Sequence, residues 1–383
     1  MKTKLLAAFV MTASAAPAMA QSTVTLYGLI DEGINYTNNV GGKKLFELQS
    51  GTAQGSRWGL KGAEDLGGGL KAVFQLENGF NVNNGKLGQG GLMFGRLAWV
   101  GVASDRYGTV TLGRQYDSIV GYLAQTTANG AWAGAVFAHP YDNDNTDLTF
   151  RVNNTIKYTS PKIGGLTFGG TYSFSNDTNF ANNRAYSMGV EYSAGGLLLE
   201  AAYLQANNQS STAGGAIGNN PVADENFLGS KLRIFGAGAT YTFGSANVGF
   251  SYSNTFVANP VSSGYVGTIT PPSGTLSNLR YQNFEINGKY QFTPTFFVGA
   301  MYTYTKSEFN ATSGQQKPNY QTVGLMADYL LSKRTDVYVQ SGYQHVGGDR
   351  TGTVLDYAFV PAADDVSSNR NQIVARVGLR HKF

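Results

Sequence analysis

Charged side chains are scarce in this chain, and their placement is selective. Only 14 % of its 383 residues are Asp, Glu, Lys or Arg. Several basic ones sit on the polar side of segments that alternate between polar and apolar residues. Arg57 opposes Trp58 and Leu60, Arg96 precedes Leu97-Ala98-Trp99, and Lys157 lies between Ile156 and Tyr158. Fixed cations in such places make no bonds. They set an electric field, felt most where water is thin and screening weak. Arg114 departs from the pattern and shares parity with apolar Val110 and Leu112. A bulge at Gly113 would turn it to the polar side, as bulges do beside functional sites. Asp117 is the nearest acid.

Bond-making chemistry is poorly provided for. There is no cysteine, hence no disulfide, thiolate metal site or cysteine nucleophile. His139, His345 and His381 lie far apart without ligand spacing, so zinc is not supported. The run from Asp142 to Asp147 offers oxygen ligands but lacks the glycine and terminal glutamate of an EF-hand, and reads as a solvated loop. Gly67-Gly68-Gly69 joins two strands and opens no helix, so it is not a phosphate loop. No Gly-x-Ser-x-Gly elbow opens a helix either, and no nucleophile has a nearby base. The expectation is no catalytic residue, no metal and no cofactor.

The elements that carry these charges follow a rhythm. From Thr23 to Phe383, short two-sided β segments come in seven tightly turned pairs, with one segment before and one after, sixteen in all. In the last, Ile373, Ala375, Val377 and Leu379 share one face while Gln372, Arg376, Arg380 and Lys382 share the other. A soluble sandwich buries its apolar face and leaves charge outside; a barrel in lipid inverts this. Tight turns at one end alternate with long polar connections at the other, roughly 37–56, 81–95, 117–153, 175–184, 207–234, 256–282, 306–319 and 347–370. The pattern predicts an all-β fold, a sixteen-stranded antiparallel transmembrane β-barrel with short periplasmic turns and long external loops. Closure removes the edges that would template aggregation.

The start of the chain agrees with export. Lys2 and Lys4 precede a short apolar run, and Ala18-Met19-Ala20 is a small-x-small cleavage site. Residues 1–20 therefore read as a signal peptide and 21–383 as the barrel. Without those two lysines, 26 of the 28 basic residues face 24 acidic ones, a balance that gives no reason to expect nucleic acid. No stretch of the mature chain approaches the ~18 apolar residues of a membrane helix.

Several motifs together resemble a known family. Ser56-Arg57-Trp58-Gly59-Leu60-Lys61-Gly62-Ala63-Glu64-Asp65-Leu66-Gly67, Thr111-Leu112-Gly113-Arg114-Gln115-Tyr116-Asp117 and the ending Val377-Gly378-Leu379-Arg380-His381-Lys382-Phe383 are similar to Gram-negative general porins of β-proteobacteria, of the Burkholderia and Bordetella type. The resemblance implies an outer-membrane homotrimer of water-filled barrels, each narrowed by an inward-folded third loop, through which ions and small hydrophilic solutes diffuse. It implies contact with outer-membrane lipids and lipopolysaccharide, and a terminal Phe383 read by the barrel-assembly machinery. It matches Arg57 and Arg114 to a basic cluster on the wall, with Arg96 and Lys157 as further candidates, opposite acids on the loop. Here the loop has no Asp, Glu, Lys or Arg between Ser118 and Tyr141, leaving Asp117 as the acid nearest the strand end. That imbalance predicts a mild anion preference. The alternative is a substrate-specific channel of the same fold, hinted at by Trp132 alone. A barrel enzyme would need a nucleophile–base pair that the sequence does not offer.

Overall fold

The computed structural model describes residues 23–209, 211, 214–218 and 226–383. The expected leader, 1–20, lies outside them. Sixteen strands form one closed antiparallel wall. They are β1 (Thr23–Val40), β2 in two pieces (Lys43–Ser50 and Arg57–Gly67), β3 (Leu70–Gly79), β4 (Leu97–Ser104), β5 (Gly108–Gln115), β6 (Val152–Thr159), β7 (Leu166–Ser173) and β8 (Arg184–Ala194). The second half comprises β9 (Leu197–Asn207), β10 (Lys231–Phe243), β11 (Ala246–Ala258), β12 (Leu276–Thr293), β13 (Phe296–Ala311), β14 (Pro318–Leu330), β15 (Thr335–Gly348) and β16 (Asn371–Lys382). The ring closes where Leu29–Thr37 of β1 pairs with Val374–Lys382 of β16. Closure satisfies every wall strand on both sides, which hydrocarbon demands.

The alternation reads inside out. Leu26, Ile34, Phe250, Ile286, Leu325 and Val377 all face outward and are exposed. Asn35, Thr303, Gln340, Gln372 and Arg376 face inward and are buried. An apolar exterior around a polar interior suits a wall between lipid and water.

Two of the expected long loops are instead hairpins that extend the wall. Over 37–56, β1 continues to Val40 and Lys43–Ser50 pairs back on it through Gly41-Gly42. Both glycines have positive φ, +55° and +97°, as a two-residue hairpin turn needs. Over 306–319, β13 runs on to Ala311 and Gly314–Gln316 returns beside it. The polar run Thr37-Asn38-Asn39 hid the first of these, because above the membrane both faces of a strand can be polar.

Residues 51–56 leave the wall between the two pieces of β2 and turn inward. Asp31 holds this excursion by accepting from the Gln54 backbone N–H at 2.7 Å, and Arg376 pairs with Asp31 at 3.1 Å.

The third connection, between β5 and β6, folds into the barrel. Its helix Ser118–Tyr122 and the short turns after it bury Ile119, Leu123, Val136, Phe137 and Tyr141 completely. The wall makes room with inward glycines. A Cβ at Gly189 would strike Tyr122, at Gly236 Leu123, at Gly299 Trp132 and at Gly324 Phe137, each within 2.6 Å. The excursion 51–56 receives the loop's far side, with the Ala135 N–H donating to the Thr52 carbonyl at 2.9 Å.

Candidate pore constriction

The inward loop and the excursion narrow the lumen to an open space of about 660 Å³. Arg57, Arg96, Arg151, Lys289, Arg380 and Lys382 line it, with Asp147 as the one carboxylate among the described lining residues. Three of these cations are placed by a strand end. Arg57 opens the second piece of β2 and donates through Nε to the Gly55 carbonyl at 2.7 Å. Arg96 stands just before β4, its Nε 2.7 Å from Glu77 Oε1. Arg151 stands just before β6 and donates to the Thr149 carbonyl at 3.1 Å.

These three guanidiniums converge on Glu77 and Tyr116. Arg57 comes within 3.9 Å of Glu77, and Arg96 donates to the Tyr116 hydroxyl at 3.0 Å. Arg151 lies 4.7 Å from the Tyr116 ring centre and donates to the same hydroxyl. Burial alone would raise the Tyr116 phenol, yet Arg151, Arg96 and Arg57 together pull it below its ordinary value. The local potential is positive. Glu77, 4 % exposed, lies within the wall behind the arginines. At the turn end of the lumen Arg380 is answered by Asp336 at 3.0 Å and Asp328 at 3.5 Å.

Apart from Asp147, the loop's acids Asp117, Asp142 and Asp144 are buried away from the open space. Burial, and then the charge of Asp144, raise Asp142 to about 7. Burial and Asp142 raise Asp147 well above the ordinary carboxylate range. Asp142 accepts from the Asp147 and Thr149 backbone N–H groups, so the stretch read as a solvated loop is a buried knot. His139 fastens that knot to the wall, 2.7 Å from Asp144 and 2.9 Å from Glu285 of β12. Burial opposes the imidazolium, but Asp144 and Glu285 raise it to about 10.

Of the residues singled out in the sequence, Arg57 and Arg96 come together at the narrow space. Arg114, Asp117 and Lys157 gather instead at the root of the loop. The register between β5 and β6 shifts between Gly113 and Gln115, where the sequence suggested a bulge. Gly113 takes φ +131°, and a Cβ there would sit 2.2 Å from the Ala98 carbonyl oxygen. Arg114 turns inward and donates to the Gly95 carbonyl at 2.7 Å and to Asn153 at 2.6 Å. Asp117 caps the helix Ser118–Tyr122, accepting from the Ile119 N–H at 2.6 Å, and is fully buried. Lys157 donates to the Tyr116 carbonyl at 3.2 Å. Arg151 and Glu77 were missed. Glu77 alternates correctly on β3, but nothing in the sequence ties it to Arg96. Arg151 lies inside a long loop, where parity carries no information.

A family model for Gram-negative porins matches residues 7–349. The chain belongs to that family. It is 32 % identical over 418 residues to an outer membrane porin protein of Bordetella pertussis, covering all of both chains. The anion-selective porin of Comamonas acidovorans superposes with TM-score 0.71 at 23 % identity, over 95 % of this chain and all of that one. OmpT of Vibrio cholerae, solved in a trimer form, superposes with TM-score 0.65 at 16 % identity, over 94 % of this chain and 99 % of that one. This porin is thus a multi-pass barrel of the Gram-negative outer membrane and a diffusion channel.

Proposed function

We propose that the channel passes small hydrophilic solutes passively and favours anions. The observation that carries this is the convergence of Arg57, Arg96 and Arg151 on Glu77 and Tyr116, a carboxylate and a phenol, while Asp147, the carboxylate that lines the same space and feels the Arg151 charge, is held toward its neutral form. An anion crossing there exchanges part of its hydration for a positive field in a space where screening is weak. The anion selectivity named for the Comamonas porin fits the same reading. The test is the reversal potential across a KCl gradient in a planar bilayer. The sign should report chloride, and Arg57→Ala with Arg151→Ala should bring it toward zero. A cation-selective potential that the pair of substitutions leaves unchanged would end the proposal.

A second reading, a channel tuned to one class of solute, draws on Trp132, Tyr265 and Phe297, which line the same space as the arginines. Trp132 meets Phe297 edge-on at 6.2 Å. An aromatic carboxylate that saturates and blocks chloride current, where acetate does not, would favour it.

The remaining assignments belong to the same proposal. The leader is cleaved after Ala20, and the barrels assemble as homotrimers, as the trimer form of OmpT is consistent with. Outer-membrane lipids, lipopolysaccharide and the barrel-assembly machinery are partners. Phe383 is the assembly signal: its backbone pairs with Gly28 in both directions at 3.0 Å, and its ring rests outward against Gly28.

A further inference from the structure

Cations also gather on the outer side of the wall. At the long-loop end of β8–β13, Arg184, Lys231, Arg233, Arg280 and Lys306 occupy outward positions, and Glu308 is the one acid on that face of those strands. The cross-strand register sets out the rows. Gln205, Arg233, Phe256, Arg280 and Glu308 lie opposite one another across five strands. Two rows nearer the turns come Ala201, Ala237, Tyr252, Phe284 and Tyr304. One row further come Leu199, Ala239, Phe250, Ile286 and Tyr302. The surface passes from hydrocarbon-like, through an aromatic band, to basic within a few residues of strand. That is the profile of a membrane boundary.

A hollow of about 320 Å³ opens at this boundary, lined by Tyr203, Arg233, Phe235, Asn254, Phe256 and Arg280. Arg233 lies 5.4 Å from the centre of the Phe256 ring. Arg280 reaches Asn254 at 3.5 Å. Neither guanidinium has a carboxylate within 4 Å among the described residues. Two forked donors on either side of one ring, above a greasy wall, suit an anion that carries its own apolar tail.

We propose that Arg233 and Arg280 bind the phosphate of a phosphorylated outer-leaflet lipid, whose acyl chains lie along the Phe235–Phe250 face. The site gives the lipid partnership proposed above a location, and rests on it. A second copy of the chain is a poorer occupant. It would bring like charge to this basic row, and the outward aromatics concentrate here rather than on β16 and β1–β5.

The experiment is native mass spectrometry of the full-length protein with bisphosphorylated lipid A, dephosphorylated lipid A and inorganic phosphate as separate probes. The variants are Arg233→Gln with Arg280→Gln, and Lys162→Gln at a short turn as control. Heat-dependent gel mobility and conductance check that each variant is folded. Wild type and control should hold the phosphorylated lipid at least about tenfold more tightly than the dephosphorylated one, and the double variant should lose that difference. Equal retention by wild type and double variant overturns the site while leaving a lipid partnership intact. Failure of wild type to hold either lipid overturns both. Inorganic phosphate that binds as well as the lipid assigns the arginines to a free anion and overturns the lipid claim.

Discussion

At the scale of single residues, the pore works by unequal neutralisation. Glu77 answers Arg96 and part of Arg57, and Arg151 rests on a phenol. Removing that one carboxylate should sharpen the asymmetry. Glu77→Gln is expected to raise the chloride preference read from the reversal potential, and a fall would contradict the account. Titration should act in the opposite sense. Asp142, near 7, and Asp147, above the ordinary range, are neutral on the acid side and gain charge as pH rises. The lowered Tyr116 phenol adds negative charge in the same direction. Anion preference should therefore be greatest near pH 5 and decline toward pH 9, as reversal potentials over that range would record. His139 follows the sign for a raised base. Its contribution is complete below the ordinary histidine value and lost as pH rises through about 10. His139→Leu strands Asp144 of the loop and Glu285 of the wall, a cost of about 3–5 kcal/mol for a broken buried pair. It should appear as excess open-channel noise and a lower denaturant midpoint.

At the scale of elements, the loop and the wall are complementary solids. The loop's large apolar side chains fill seats that glycine leaves open on facing strands. Gly324→Val should displace Phe137 and shift the loop while the barrel itself persists. Single-channel conductance should change, with heat-dependent gel mobility retained. Unchanged conductance would mean that the loop does not set the narrow space. This scale also marks how much the sequence disclosed. Alternation placed Arg57 and Arg96 on the lumen side, and the irregularity at Gly113 was legible from its clash with parity. Seats such as Gly299 under Trp132 were not, because a missing side chain has no pattern. Arg151 was hidden for a related reason: its position follows from where the loop ends, and loops have no period. Asp117 was legible as an acid near the strand end, but its cap on the helix Ser118–Tyr122 depends on a turn of helix too short to show in sequence.

At the scale of the whole molecule, the exterior is not uniform. Outward aromatics are dense from β6 to β15, as with Tyr172, Phe250, Tyr302 and Tyr329. On β16 and β1–β5 the outward positions are mostly aliphatic, among them Leu26, Ile34, Val100, Leu112 and Val377. Aromatic residues mark the lipid interface, so the aliphatic sector is where subunits of the proposed trimer should meet. Val377→Arg is expected to dissociate the assembly, while Ile286→Arg, on the lipid side, costs about 2–4 kcal/mol of barrel stability without changing subunit number. Light scattering of the detergent-solubilised protein separates the two, and dissociation by Ile286→Arg alone would reverse the assignment.

The two-way pairing of Gly28 with Phe383 puts both ends of the wall side by side at the short-turn end. Once closed, the hydrogen-bonded ring has no intrinsic first strand; only biosynthesis chooses one. A circularly permuted gene could join the old ends with a short linker and begin instead at the turn Gly195-Gly196 between β8 and β9. It would encode the same ring, with all of its lumen charges in place. What it would lack is a free terminal phenylalanine. Such a chain, refolded in detergent and separately expressed in cells behind the same leader, would test the assembly role proposed for Phe383: folding in detergent without assembly in cells would support it, and normal assembly would overturn it.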